Sequence, residues 1–229
     1  MGAMKATLFV DVTDPWSFIG ATRFTRAAAT YTILTGEPVR TTLRAHLLDP
    51  DVVSNGRPLM TALAERLGGA DKAELLNIRV TGAARITGID LNFEDAVEAN
   101  SFDAWRLLTW ADEAGPGVQF DLAQQLWRAH LLEGADIADP LVLATRAALV
   151  GLDLETAEGL LASTEYGDAV RSQHAASLEI GALDVGFDQL PAIVVDDEWS
   201  LSGVHSQHDY VQSLERVRNE RGEPWKEDR

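Results

Sequence analysis

Strand-like sequence occurs only near the two ends of this chain, and everything between them reads as helix. KATLFVDV (5–12) is rich in apolar and β-branched residues and stops at an abrupt turn signal. Pro15 suits the first position of a helix, which is expected to run to about residue 34 and to stop at Gly36 and Pro38. VRTTLRAHLL (39–48) alternates well enough for a second strand. Strand logic returns only with LPAIVVDD (190–197) and EWSLSG (198–203), and a last helix is expected from about 205 to 219. Between Asp49 and about Leu183, successive stretches with helical spacing are separated by Gly, Pro or Asn.

The order is therefore βαβ, a helical insertion, then ββα. A strand–helix–strand opening predicts a right-handed crossover and a parallel pair. The end pieces, 5–48 and 184–220, can share one sheet. The insertion, 49–183, is expected to pack over that sheet as its own layer, and 221–229 reads as a flexible tail.

At 229 residues, with 46% hydrophobic and 24% charged, the chain can bury a sizeable core. Its net charge of −17 and its lack of a basic stripe argue against nucleic acid and against an anionic membrane surface as partners. No run approaches the ~18 apolar residues of a membrane span. The first residues lack the basic start of a secretory leader, so the cytoplasm is the expected compartment. The chain has no cysteine. That excludes disulfides, thiolate-bound zinc and thiol chemistry by its own side chains. Nucleotide-loop, metalloprotease and nucleophile-elbow motifs are absent. His46 and His130 each stand alone and read as packed or surface side chains, and His174 reads as exposed. His205 and His208 sit at a helix start, too few for a metal site.

The segment that carries chemistry is Asp11-Val12-Thr13-Asp14-Pro15-Trp16-Ser17-Phe18-Ile19-Gly20. It resembles the opening of the DsbA-like branch of the thioredoxin fold. Within that branch it is most similar to the FrnE-type and 2-hydroxychromene-2-carboxylate isomerase group, which has Asp-x-x-Cys-Pro-Trp-Cys-Tyr/Phe-Ile-Gly. NSFDAWRLLTWA (100–111), residues 126–153 and residues 177–206 resemble further segments of that group. The resemblance implies an α/β thioredoxin-like fold with a large all-helical insertion. It puts Asp14 and Ser17 at the positions of the missing cysteines. It also implies a cis bond before Pro191, and a ligand groove formed by Pro15, Trp16, Leu190 and Pro191, with Asn100 and Trp105 reaching in from the insertion.

Read alone, Asp14 is an ordinary helix N-cap. Read with the groove, it is a fixed negative charge where relatives keep a thiolate. Capping by backbone N–H groups is expected to lower its pKa, so that it positions a ligand rather than moving a proton. Neither a carboxylate nor a serine can exchange with a disulfide. The leading expectation is a family member without thiol–disulfide exchange that retains a groove for a small molecule or an extended peptide. One alternative is a non-redox isomerase of a small aromatic substrate. It would use a low-molecular-weight thiol as cofactor, hydrogen-bonded by Ser17, with Trp16 and Trp105 holding the substrate. A third is a non-catalytic binding module, with a homodimer as one arrangement.

Overall fold

A computed structural model describes residues 3–182 and 190–221. The expected boundary at 183/184 and positions 222–229 of the expected tail lie outside the described residues.

The elements, in chain order, are β1 (Met4–Val10), α1 (Pro15–Thr35), β2 (Val39–Ala45), α2 (Leu59–Leu67), α3 (Ala70–Thr87), α4 (Phe102–Glu113) and α5 (Val118–Leu131). They continue with α6 (Pro140–Leu149), α7 (Leu154–Leu161), α8 (Gly167–Ala182), β3 (Ala192–Val195), β4 (Trp199–Ser202) and α9 (Gln207–Glu220). The sheet order is β2-β1-β3-β4, with β1 and β2 parallel and the other neighbours antiparallel. Strands from both ends of the chain therefore share one sheet.

Local chemistry explains the frame. The Asp14 carboxylate accepts from the Trp16 and Ser17 amides and starts α1, Pro15 occupies its first turn, and Gly36 closes it at φ 72°. Asp196 and Asp197 both adopt positive φ, which turns β3 tightly into β4. The sequence reading missed α7. It is short, starts on the Asp153 cap, and falls between two longer stretches of helical spacing.

The insertion is fastened to the sheet through the outer edge of β2. The Leu43 amide donates to Gln119 Oε1 (2.8 Å), and Gln119 Nε2 donates back to the Leu43 carbonyl (3.1 Å). Further along, the Ala45 amide donates to Gln173 Oε1 (3.0 Å) and the Leu47 amide to His174 Nδ1 (3.1 Å). Side chains from α5 and α8 thus complete an edge that would otherwise present unpaired backbone groups. His174, expected to be exposed, is half-buried in this role and stands edge-on to His46. Replacing Gln119 by Leu leaves the Leu43 amide buried without a partner and its carbonyl with only Arg44 Nη1 (3.0 Å). Gln119→Leu is expected to cost about 2–3 kcal/mol in urea denaturation. A loss under about 0.5 kcal/mol would mean that the edge is satisfied in another way.

The apolar core runs without a break from β1 and α1 into α4, α5 and α6. Its largest fully buried side chains include Trp105, Trp127, Tyr31 and Phe24. No described helix is long and apolar enough to cross a membrane.

Candidate functional site

β1 ends at Val10, and the chain turns through Asp11 to Asp14 before α1 begins. This corner is tightly bonded. Ser17 Oγ donates to Asp14 Oδ2 (2.7 Å) and accepts from the Asp11 amide (3.1 Å). The Ser17 amide also donates to Asp14 Oδ2 (2.7 Å), and the Trp16 amide to Oδ1 (3.3 Å). The Asp11 carboxylate accepts from the amides of Leu48 (2.8 Å) and Thr13 (3.2 Å). The Asp11 carbonyl accepts from Trp127 Nε1 (3.1 Å), which ties the corner to α5.

Asp14 opens onto a cavity of about 570 Å³. Its walls are mostly apolar. Leu59, Leu63 and Leu67 come from α2, Leu76 and Val80 from α3, and Phe93 from the following loop. Trp16, Pro15, Asp11 and Thr13 line the α1 end, and Arg66, Asp49, Glu98, Ser101 and His130 supply the remaining polar surface. This volume and lining suit a small organic molecule.

The electrostatics reverse one expectation. Asp14 is only 7% exposed. Burial pushes its pKa up from 3.8 to about 6, against the hydrogen bonds from Ser17 and Trp16, and the nearby Asp11 carboxylate pushes the same way. Capping alone would have lowered it; removal from water outweighs capping. Burial also raises the pKa of Asp11, against its bonds to Leu48, Ser101 and Thr13. The corner thus holds two carboxyl groups that burial makes harder to ionise than an ordinary aspartate.

The site residues expected from the sequence divide. Asp14, Pro15 and Trp16 meet at the cavity. Ser17 is fully buried behind Asp14, with its hydroxyl both donating and accepting, so it offers nothing to a cofactor thiol. The Leu190–Pro191 bond is cis, and Pro191 abuts Gly20 on α1, but neither residue lines this cavity. Asn100 spends its amide on the carbonyls of Pro50 (3.1 Å) and Val52 (2.9 Å), and so holds the loop beside the cavity rather than entering it. Trp105 is fully buried among the apolar residues of α4 and does not reach in. The resemblance located its helix but not the face on which Trp105 lies.

The sequence singles out neither Asp11, Ser101 nor Arg66 as a site residue, and His130 reads there as a packed or surface side chain. The Asp-x-x-Asp spacing of Asp11 and Asp14 and the Trp-x-x-His spacing of Trp127 and His130 were signals for two of them, since each spacing brings both residues of the pair to one corner. Among the described residues, no three His, Asp or Glu side chains form a cradle for a metal ion.

A family model described as the DSBA-like thioredoxin domain matches residues 6–215. No match emerges among curated proteins. Solved structures are similar over almost the whole chain. A probable DsbA oxidoreductase, SCO1869 of Streptomyces coelicolor, is 26% identical, with a TM-score of 0.84 and coverage of 97% of this chain and 93% of that one. A 2-hydroxychromene-2-carboxylate isomerase has 16% identity, a TM-score of 0.63 and 94% coverage of each chain. The cytosolic disulfide reductase DsbM of Pseudomonas aeruginosa has 20% identity, a TM-score of 0.63, and coverage of 94% of this chain and 98% of that one.

Proposed function

The chain belongs to the DSBA-like thioredoxin domain family, and from that membership we propose a cysteine-free protein that binds a small, largely apolar molecule and performs no thiol–disulfide exchange with its own side chains. One observation carries this reading. The residue that caps α1, where a redox relative would hold its reactive thiol, is a buried carboxylate facing an apolar cavity. Its opening motif draws it toward the FrnE-type and chromene-carboxylate isomerase group. The reading assigns it to the cytoplasm, where disulfide formation is rare in any case.

The near-neutral Asp14 favours a second reading, proton transfer on the bound molecule. A carboxyl group with a pKa of about 6 is both a usable acid and a usable base at physiological pH. An isomerisation needs no electron donor, so the missing cysteines are no obstacle to it. A thiol cofactor draws no support from Ser17, whose hydroxyl is already engaged. A thiolate would also meet the Asp11 and Asp14 carboxyl groups.

The test restores what the sequence lacks. Wild-type protein should not accelerate reduction of a small disulfide such as hydroxyethyl disulfide above background. The double variant Asp14→Cys/Ser17→Cys puts a thiol pair at a helix start, where the first thiol ionises readily. It should raise the rate at least about tenfold. Turnover by the wild type would overturn the reading.

A further inference from the structure

His130 is the cavity group that the proposed function leaves unexplained. It lies on α5 one turn after Trp127, whose bond to the Asp11 carbonyl holds that helix against the site. The imidazole is 1% exposed and lines the cavity. Neither ring nitrogen meets strict hydrogen-bond geometry; the Ala135 backbone is the partner within reach of the ring N–H, which leaves the second nitrogen without one. Burial prevails and lowers its pKa to about 4, so the ring is neutral at physiological pH. A buried polar group without a partner costs about 1–3 kcal/mol, and native proteins keep few of them without a use. A neutral imidazole always carries one lone-pair nitrogen, so it can accept a hydrogen bond.

The charges around it narrow the ligand. Four carboxylic residues line the cavity: Asp11, Asp14, Asp49 and Glu98. Arg66 is the one cation among the described lining residues, and it already contacts Asp49 (3.2 Å) and Glu98 (3.3 Å). What remains on offer is acceptors: the Asp14 carboxylate and the lone-pair nitrogen of the His130 ring, whose N–H has the Ala135 backbone to turn to. An anion would be repelled. A molecule without donors would leave both groups unsatisfied in an apolar setting. A protonated amine brings the missing charge and up to three N–H donors, and its apolar body fits the leucine-rich wall. The ring of Trp16 adds a face on which a cation can rest.

The geometry points to a binding site for a small primary amine with an apolar, preferably aromatic, body, seated between Asp14 and His130. This rests on the reading of the cavity as a small-molecule site, and the test separates the two. Three probes of one size are titrated into the protein at pH 7 and about 0.15 M salt, where remote surface charges are screened. They are 2-phenylethylamine, 2-phenylethanol and phenylacetate, each followed by tryptophan fluorescence and calorimetry. The amine should bind saturably and at least about tenfold tighter than the alcohol, and phenylacetate should not bind. His130→Phe should weaken the amine about tenfold and His130→Gln, which keeps an acceptor, should restore most of the loss. Asp14→Asn should weaken it by at least as much, with folding of each variant checked by thermal unfolding. The alcohol or phenylacetate matching the amine overturns the proposal while leaving the cavity a small-molecule site. So does amine binding that is indifferent to both Asp14→Asn and His130→Phe, which would be surface attraction to an acidic protein. If no probe binds, the reading of the cavity itself falls, and the proposal with it.

Discussion

A single methyl group at position 20 is expected to cost the protein about 3 kcal/mol of stability, the upper part of the range for overpacking a well-filled site. Gly20 sits in α1 where the helix passes the ring of Pro191. A Cβ there would stand 2.4 Å from Pro191 Cδ and 2.5 Å from Cγ. Neither side can yield cheaply. The proline ring is rigid, its residue is buried, and its carbonyl accepts from the Gly203 amide at 3.0 Å. Ala192, next along, is in register with Phe9 of β1. The helix must therefore move away from the sheet. The better helix propensity of alanine returns only about 1 kcal/mol. Gly82→Ala supplies the control, because Gly82 lies in α3 with nothing within 4 Å of its added Cβ. Gly82→Ala should leave stability unchanged or raise it by up to about 1 kcal/mol in the same urea titration. Equal effects of the two substitutions would show that contact with Pro191 does not constrain α1. Because the start of α1 also carries Asp14 and Trp16, Gly20→Ala should weaken ligand binding in whatever fraction stays folded.

The frame was readable because local chemistry sets it. Asp14, Pro15 and Gly36 mark the ends of α1, and alternation with an abrupt stop marks β1. The short α7 has fewer turns in which to show a period. The site was readable in position but not in character. A cap rule counts the amides of Trp16 and Ser17, both within three residues of Asp14. Burial of Asp14 depends instead on the cavity walls contributed by α2, α3 and α5, dozens of residues away, and no local pattern reports it. Trp105 and Asn100 were drawn into the groove by the resemblance of their helix. The direction of each side chain depends on how that helix is rotated against α5 and on what the 50–54 loop needs. His130 was passed over as a lone histidine, and its meaning appears only when Asp11 and Asp14 are seen across the same space.

Stability measured against pH should expose the strain at Asp14 directly. In the unfolded chain this carboxyl group titrates near its ordinary value of 3.8, and in the folded protein near about 6. The folded state therefore holds the proton more tightly. Below about pH 3 both states are protonated and the group is without effect. As pH rises from about 4 to about 6 the unfolded chain ionises first, so stability is lost across that window. Above it the full cost remains, about 3 kcal/mol for a separation of this size. Asn ranks with Asp as a helix cap and does not titrate. Asp14→Asn should therefore match the wild type at about pH 3 and exceed it by roughly 2–3 kcal/mol at pH 7. Taking the difference between the two proteins in parallel denaturation series cancels most of the effect of the other carboxylates, including Asp11. A difference that stays flat with pH, or a wild type more stable at pH 7, would mean that Asp14 is an ordinary solvated cap. A gain in the variant gives the charge a functional meaning. A protein that keeps an ionised carboxylate at a cost in stability, when asparagine would cap the helix as well, is keeping it for what enters the cavity.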